Sequence, residues 1–316
     1  MQDLRFDGRV AVITGAGRGL GRGYAMLLAS RGAKVVVNDP GVSLKGDGFD
    51  AAPAGEVVDK IRGAGGEAII STETVATQQG CQAIVRHALD HYGRIDILIH
   101  NAGNIRHASL KDMTVQDFDA VVDVHFRAAF HLVRAVFPLM CEAKYGRIVL
   151  TSSIGGLYGN HNVVNYAMSK AGMIGLNNVA ALEGEADGVK CNIIVPGSIT
   201  RIAAGADDRG FPAKFEHFPP TMAPEMIAPA VCWLAHETCS ITGEMLVSIA
   251  GRVARAFIGE TRGRFQAEWT VEDIGEHIDA IRNTDDPWIL PVVPHGHAEH
   301  IARSFEMGSR EQPTSR

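Results

Sequence analysis

The stretch Arg9-Val-Ala-Val-Ile-Thr14-Gly15-Ala-Gly-Arg-Gly19-Leu-Gly21 decides the fold. Its first half is a short β-branched run, as expected for a buried strand of a parallel sheet. Its second half is rich in glycine and leads into an amphipathic helix that extends to about Arg31. Glycines between a strand and a helix let the backbone approach a pyrophosphate, whose charge the helix N-terminus stabilises. The stretch therefore predicts a dinucleotide-binding turn.

The next strand, Lys34-Val-Val-Val-Asn38, ends at the acidic residue Asp39. An acid about 20 residues after such a glycine turn binds the adenosine ribose hydroxyls and repels a 2′-phosphate. Asp39 therefore favours NAD over NADP, although Arg18 is an opposing signal because it could pair with that phosphate. The alternative for Asp39 is a turn residue before Pro40-Gly41.

The rest of the chain alternates between strand-like and helical segments. Further strands are expected at 68–72, 95–100, 147–153, 190–195 and 244–249, and further helices at 56–64, 79–92, 114–140, 164–184 and 224–236. This alternation predicts an α/β fold with a single Rossmann-type, doubly wound parallel sheet of about seven strands and helices on both faces. Thr74 and Val75, at the carboxyl end of the third strand, are expected at the edge where cofactors bind.

The stretch Tyr166-Ala-Met-Ser-Lys170 predicts a proton-transfer site. Residues four apart on a helix share a face, so the phenol and the ammonium point the same way. A nearby cation favours the phenolate and lowers the pKa of a tyrosine toward the neutral range. Ser153 ends a strand and could hold a carbonyl or alcohol oxygen beside the phenol. Alone, this spacing also arises by chance, so the prediction depends on the neighbouring motifs.

Composition restricts the partners and the compartment. The 316 residues are 46% hydrophobic and 21% charged, with a net charge of −6. This charge argues against nucleic acid or an anionic membrane as a partner, and no apolar run is long enough to span a membrane. The N-terminal residues do not resemble a signal peptide, and five dispersed cysteines indicate reduced thiols in the cytoplasm. His295, His297 and His300 lie close together, but without cysteines or patterned carboxylates we expect no metal site.

The last sixty or so residues differ from the rest. We expect a dinucleotide-binding domain over 1–251 and a C-terminal extension over 252–316 that packs on the core or on a neighbouring subunit. Within it, 270–282 predicts a helix with Thr270 as its N-cap, and 284–297 predicts an extended, Pro-rich segment. The loop at 198–222 is interpreted either as a mobile lid over an apolar substrate or as a surface loop held by aromatic side chains.

Five motifs together resemble the short-chain dehydrogenase/reductase family over residues 5–251: Thr14-Gly-x-x-x-Gly-x-Gly21, Asn101-Ala-Gly103, Ser153, Tyr166-x-x-x-Lys170 and Pro196-Gly197. The resemblance implies that Tyr166 is the general acid/base, that Lys170 lowers its pKa and binds the nicotinamide ribose, and that Ser153 positions the substrate oxygen. The candidate catalytic residues are Ser153, Tyr166, Lys170 and His125. The candidate cofactor-binding residues are Gly15, Arg18, Gly19, Leu20, Gly21, Asp39, Thr74, Val75, Asn101, Tyr166, Lys170 and Thr200.

His125 departs from the family pattern, which usually has an asparagine there to organise a proton-relay water. A histidine can donate and accept, so it could keep the relay, and a packed structural histidine is the alternative. Other segments, including Val35–Asp39, Leu157-Tyr-Gly-Asn160 and Trp233-Leu-Ala-His236, resemble one branch, the (3R)-hydroxyacyl-CoA dehydrogenase/17β-hydroxysteroid dehydrogenase domain of multifunctional enzyme type 2. In that branch a histidine at this position is expected.

The resemblance implies an NAD-dependent oxidoreductase for a hydrophobic secondary alcohol and its ketone, with a 3-hydroxyacyl-CoA or a hydroxysteroid as substrate. Another cyclic or aryl alcohol, as in terpene or aromatic catabolism, is the alternative, and a non-enzymatic dinucleotide-binding regulator is the more distant one. Arg106 and Arg201 could receive a carboxylate or a CoA phosphate, or could be structural. By analogy with the family, the helices at 114–140 and 164–184 could form a homodimer or homotetramer.

Overall fold

The computed structural model describes residues 3–198 and 220–310, the last three of them as backbone only. Thr200, Arg201 and most of the expected loop at 198–222 lie outside these residues. The chain forms two compact units, Met1–Arg255 and Ala256–Arg316. Each unit is described by itself below.

The first unit is built on an eight-stranded sheet with the order β3-β2-β1-β4-β5-β6-β7-β8. Neighbouring strands from β3 to β7 are parallel. The strands are β1 (Val10–Thr14), β2 (Lys34–Asn38), β3 (Glu67–Ser71), β4 (Ile97–His100), β5 (Gly146–Thr151), β6 (Val189–Gly197), β7 (Met245–Ile249) and β8 (Arg252–Ala256). The predicted architecture is confirmed, with one edge strand, β8, more than the seven expected.

Helices cover the sheet and keep its central strands dry. Every residue of β1, β4 and β5 is buried, as the apolar runs in these segments predict. The α-helices in the described part of this unit are α1 (Gly19–Ser30), α2 (Ala52–Gly63), α3 (Gln78–Tyr92), α4 (Val115–Val122), α5 (Ala128–Glu142), α6 (Ile154–Tyr158), α7 (Val164–Gly184) and α8 (Ala228–Ala235).

Three helices differ from the sequence-based expectation. The helix expected at 114–140 is divided into α4 and α5 by a π-helical turn, Asp123–Arg127. The helix expected from residue 56 begins at Ala52 and has Pro53 in its first turn, and the Asp50 carboxylate accepts a hydrogen bond from the Ala52 amide at 3.0 Å. Before α8, a 3₁₀ turn, Pro224–Ile227, replaces the first turn of the expected helix.

The strand register brings the glycine turn, Asp39 and Asn101 to one edge of the sheet. Thr14, the last residue of β1, is paired with Asn38 of β2 on one side and His100 of β4 on the other. Asp39 and Asn101 therefore flank the glycine turn that follows β1.

Within residues 256–310, the second unit contains three helices, α9 (Val271–Glu276), α10 (Ile278–Ile281) and α11 (His297–Arg310). The predicted N-cap is confirmed, because the Thr270 side chain and Asp273 form a reciprocal capping box. The single helix expected over 270–282 is two short ones, and α11 begins at the end of the segment expected to be extended.

His300 pairs with Glu260 at 2.6 Å, and residues 3–198 and 220–310 hold no cluster of three metal-ligand side chains. Within the same ranges, no helix has the length and apolarity needed to cross a membrane.

Candidate active site

A cavity of about 980 Å³ lies at the carboxyl edge of the sheet. The structure brings together there all the predicted site residues that it describes, except Gly21. They are Gly15, Arg18, Gly19, Leu20, Asp39, Thr74, Val75, Asn101, His125, Ser153, Tyr166 and Lys170. Thr200 lies outside the described residues, and the role of each residue stays a prediction.

The glycine turn has no room for side chains at two positions. Gly15 has a φ of +64°, and a Cβ on it would lie 2.7 Å from the Cα of Ala102. A Cβ on Gly21 would lie 2.2 Å from the Gly15 carbonyl oxygen, so Gly21 serves the shape of the turn although it does not line the cavity. Asn101 Nδ2 donates to the carbonyl oxygens of Thr14 (3.2 Å) and Gly15 (3.1 Å) and so holds the turn from the β4 side.

The N-terminus of α1 fits an anionic ligand. No side chain of the described chain caps it, and no acidic residue lies in its first turn. Its first amides are therefore available to a phosphate, which the helix dipole also favours. Together with the tight glycine turn, this fits the pyrophosphate of a dinucleotide.

Asp39 is fixed beside this turn. One carboxylate oxygen accepts from the Gly17 amide at 2.9 Å and the other from the Gly41 amide at 2.7 Å, and only 8% of the residue is exposed. Each oxygen keeps a further lone pair that a ribose hydroxyl can use. The Arg18 guanidinium lies 3.5 Å from the Asp50 carboxylate.

Ser153, Tyr166 and Lys170 meet where α6 and α7 begin. Ser153 is the N-cap of α6, and its Oγ accepts from the Gly155 amide at 3.1 Å. Tyr166, in the first turn of α7, is half-buried, so its ring remains accessible from the cavity. Burial raises the pKa of its phenol, and the hydrogen bond with the Ser153 hydroxyl lowers it.

Lys170 is buried one turn further along α7. Its Nζ lies 5.6 Å from the centroid of the Tyr166 ring and donates to the Thr151 carbonyl oxygen at 2.6 Å. Burial lowers the pKa of Lys170 to about 7. The lysine is thus only partly charged near neutral pH, and in the free protein Ser153 is the group that offsets the raised pKa of Tyr166.

His125 lies in the π-helical turn, a feature that often marks functional sites. Its Nε2 is 2.8 Å from the carbonyl oxygen and 3.1 Å from the amide nitrogen of Asn104. Burial, and then the charge of Lys170, hold its pKa well below the usual range, so the imidazole is neutral. Its Nδ1 is buried and finds no hydrogen-bond partner in the described parts of the chain.

A second buried histidine, His100, supports this turn. Its Nε2 lies 3.0 Å from the His125 carbonyl oxygen, and its Nδ1 lies 3.0 Å from the Thr14 hydroxyl. Burial, with a smaller effect of Lys170, lowers the pKa of His100 to about 4. Because a carbonyl only accepts, the proton of the neutral ring is on Nε2, and Nδ1 accepts from Thr14.

Sequence reasoning missed two positioning residues and left Arg106 open between an anion-binding and a structural role. The Thr14 hydroxyl accepts from the Asn101 and Ala102 amides, both at 3.1 Å, and Ser152 Oγ donates to the Lys170 carbonyl oxygen at 2.7 Å. Their positions in the sequence could have indicated these roles, because Thr14 directly precedes the glycine turn and Ser152 directly precedes Ser153. Arg106 donates to the Lys45 carbonyl oxygen and to Asp117 rather than offering a free guanidinium to an anion.

A known protein family and a curated protein are similar to this chain over much of its length. A family model described as short chain dehydrogenase matches residues 9–208. Peroxisomal multifunctional enzyme type 2 of Drosophila melanogaster is 44% identical over 98% of this chain and 53% of its own length. This chain therefore spans about half of that relative.

Two solved structures are also similar. A short chain dehydrogenase from Mycobacterium avium has a TM-score of 0.73 and 33% identity, over 91% of this chain and 98% of that one. A 7α-hydroxysteroid dehydrogenase complexed with NADH and 7-oxo glycochenodeoxycholic acid has a TM-score of 0.68 and 29% identity, over 79% of this chain and 97% of that one.

Proposed function

The chain belongs to the short chain dehydrogenase family, and on this premise we propose that it is an NAD-dependent dehydrogenase that interconverts a hydrophobic secondary alcohol and its ketone. One observation carries the proposal. Ser153, Tyr166 and Lys170 line the same cavity as the glycine turn and Asp39. A proton-transfer group, a hydroxyl that can hold oxygen and a dinucleotide cradle are thus within one cleft.

The proposed reaction combines hydride transfer with proton transfer. A bound nicotinamide dinucleotide supplies the carrier that accepts hydride from the alcohol carbon or returns it to the ketone carbon. During oxidation, the Tyr166 phenolate takes the proton of the alcohol while the Ser153 hydroxyl holds the same oxygen. During reduction, Tyr166 returns that proton to the oxygen. Protonated Lys170, one helical turn away, stabilises the phenolate form.

Asp39 supports NAD over NADP. Its carboxylate is held in place by two backbone amides, so it cannot move away from a 2′-phosphate without breaking them. Because like charges repel, binding a 2′-phosphate beside this partly buried carboxylate is unfavourable. Arg18, the opposing signal in the sequence, faces the Asp50 carboxylate and has part of its charge offset.

For the substrate, we propose a 3-hydroxyacyl-CoA or a hydroxysteroid. Apolar side chains of Ile105, Val163 and Ile249 line the cavity together with the catalytic residues, which suits a hydrophobic alcohol. The branch resemblance supports the acyl-CoA, and the similar structure that contains a 7-oxo bile acid supports the steroid. Another cyclic or aryl alcohol remains the alternative.

A substrate panel with purified protein tests this function. NADH absorbance is followed with (3R)-hydroxyacyl-CoAs, hydroxysteroids, and cyclic and aryl alcohols, each with NAD⁺ and with NADP⁺. Turnover of acyl-CoA or steroid with NAD⁺ supports the proposal, and turnover of only the other alcohols supports the alternative. Turnover of nothing, with intact NADH binding, would favour the non-enzymatic regulator.

We also propose that the chain forms a homodimer or homotetramer. Several large apolar side chains on and beside the expected interface helices are at least one-third exposed: Phe126, Phe130, Met168 and Val179. Light scattering after size-exclusion chromatography measures the mass. The cytoplasmic location and the packing of the C-terminal extension stay predictions, and the Drosophila relative is named as peroxisomal.

A further inference from the structure

The segment between Asp39 and α2 closes on itself at its base. The Asp50 amide donates to the Pro40 carbonyl oxygen at 3.0 Å. Gly41 has a φ of +70°, and a Cβ on it would lie 1.7 Å from the Asp50 carbonyl oxygen, so only glycine allows this contact. A loop of this length with adjoining ends is an Ω-loop, a type that is often functional. Residues 40–50 are called the Ω-loop below.

The tip of the Ω-loop is bound to the segment that follows β4. The Ile105 amide donates to the Leu44 carbonyl oxygen at 3.0 Å. Arg106 donates twice to the Lys45 carbonyl oxygen, from Nε at 3.2 Å and from Nη2 at 3.0 Å. Its Nη1 donates to Asp117 at 2.9 Å, which fixes the guanidinium from the other side. Arg106 therefore holds the tip through a planar, charge-assisted fork that lysine could not reproduce.

The topology places this contact across the glycine turn. In the sheet, β1 lies between β2 and β4. Adjacent strands are about 4.8 Å apart, so the ends of β2 and β4 are about 10 Å apart. The Ω-loop leaves β2 and is bound to the segment leaving β4, so it bridges this gap beside the carboxyl end of β1. The turn residues Gly15 and Gly19 and the loop residues Val42 to Gly46 line the same cavity.

We propose that the Ω-loop is a clasp over the dinucleotide site, and that Arg106 is the positioning residue that keeps it shut. This inference rests on the proposed binding of a nicotinamide dinucleotide. A ligand on the glycine turn then lies between that turn and the Ω-loop. The contacts of Leu44 and Lys45 with residues 105 and 106 must open before the ligand can bind or leave.

The clasp is continuous with the catalytic helix. The Arg106 carbonyl oxygen accepts from Asn165 Nδ2 at 3.1 Å, and Asn165 Oδ1 accepts from the Tyr166 amide at 2.8 Å. The backbone of Arg106 is therefore bonded to the residue that precedes Tyr166 and accepts from its amide. A loosened clasp acts first on cofactor binding, and only secondarily on the proton-transfer step.

The test compares Arg106→Met with the control Arg31→Met. Arg31 is paired with Asp3 at 2.9 Å and is not part of the clasp. Stopped-flow fluorescence measures the dissociation rate of NADH. Trypsin cleavage after Lys45, an exposed residue of the loop, reports opening without any turnover. Arg106→Met is expected to speed NADH dissociation by about tenfold or more, because it removes both charge-assisted hydrogen bonds to the Lys45 carbonyl oxygen. It is expected to raise the KM for NAD⁺ more than it lowers kcat.

Cleavage after Lys45 is expected to be faster in Arg106→Met than in the wild type, and NADH is expected to slow it in the wild type. Arg106→Lys, which keeps the charge and most of the packing, gives an intermediate rate if the full substitution disturbs folding. Folded Arg106 variants with wild-type NADH dissociation and cleavage rates would overturn the clasp alone. A wild-type protein that binds neither NADH nor NADPH would overturn the clasp together with the proposed function.

Discussion

The imidazole of His125 lies edge-on to the phenol ring of Tyr166, with ring centroids 5.2 Å apart and ring planes at 86°. The histidine is neutral, because burial and the charge of Lys170 hold its pKa well below the usual range. The phenol of Tyr166 therefore has an uncharged neighbour on this side. In the free protein, burial raises the pKa of this phenol and the Ser153 hydroxyl lowers it.

Removing the phenol hydroxyl should stop catalysis while leaving cofactor binding intact. Tyr166→Phe keeps the ring, so its contact with His125 remains, but no group can then accept the alcohol proton. We expect kcat to fall by about 10²- to 10⁴-fold with an NADH dissociation constant close to wild type. Tyr158→Phe, at a residue that is 79% exposed, is the matched control. Turnover of Tyr166→Phe at the wild-type rate would exclude Tyr166 as the acid/base.

Lys170 should make the free protein less stable at neutral pH than at alkaline pH. Burial lowers its pKa from 10.5 to about 7, so between these values the unfolded chain binds the extra proton. Stability should therefore rise with pH from about 7 to 10, with a contribution of up to about 1.4 kcal/mol per pH unit. The penalty for charging the buried amine is complete below pH 7.

Urea unfolding of Lys170→Met over this pH range checks the effect. The slope of stability against pH should decrease in this variant, whatever the cost of losing the bond to Thr151. Lys111→Met, at an exposed lysine, should keep the wild-type slope. An unchanged slope in Lys170→Met would show that Lys170 is charged through this range.

Neutralising Asp39 should relax the preference for NAD. Asp39→Asn keeps the size of the side chain and one acceptor oxygen, but it removes the charge that repels a 2′-phosphate. We expect the ratio of kcat/KM for NAD⁺ to that for NADP⁺ to fall by about 10- to 100-fold. Asp59→Asn, at an exposed residue of α2, is the control. A wild-type protein that prefers NADP⁺ would contradict the role assigned to Asp39.

Two substitutions of His125 separate a proton relay from a packing role. His125→Asn keeps polar atoms that can bond to Asn104, and we expect kcat within about tenfold of wild type. His125→Phe leaves the Asn104 backbone groups without their partner and should cost about 1–3 kcal/mol of stability. It should also lower kcat by more than His125→Asn does. His161→Asn, at an exposed histidine, is the control. Equal kcat values for both His125 variants would favour the packed structural histidine.

Local signals predicted most of the fold. Helix α7 spans the residues that its pattern indicates, and Thr270 caps α9 as its spacing with Asp273 predicts. The division of the helix expected at 114–140 could not be predicted in this way. A π-helical turn depends on contacts such as that between the His125 carbonyl oxygen and His100, which lies 25 residues away in the chain.

The sequence by itself determined the parallel sheet, the glycine turn and the helical face shared by Tyr166 and Lys170, because periodicity and short spacings encode them. Only the tertiary structure decided how charged Lys170 is and what Arg106 holds. Burial sets the pKa of Lys170, and the bond from Arg106 to Lys45 joins residues 61 positions apart. Both depend on which groups the folded chain brings together and removes from water, and no short stretch of sequence contains that information.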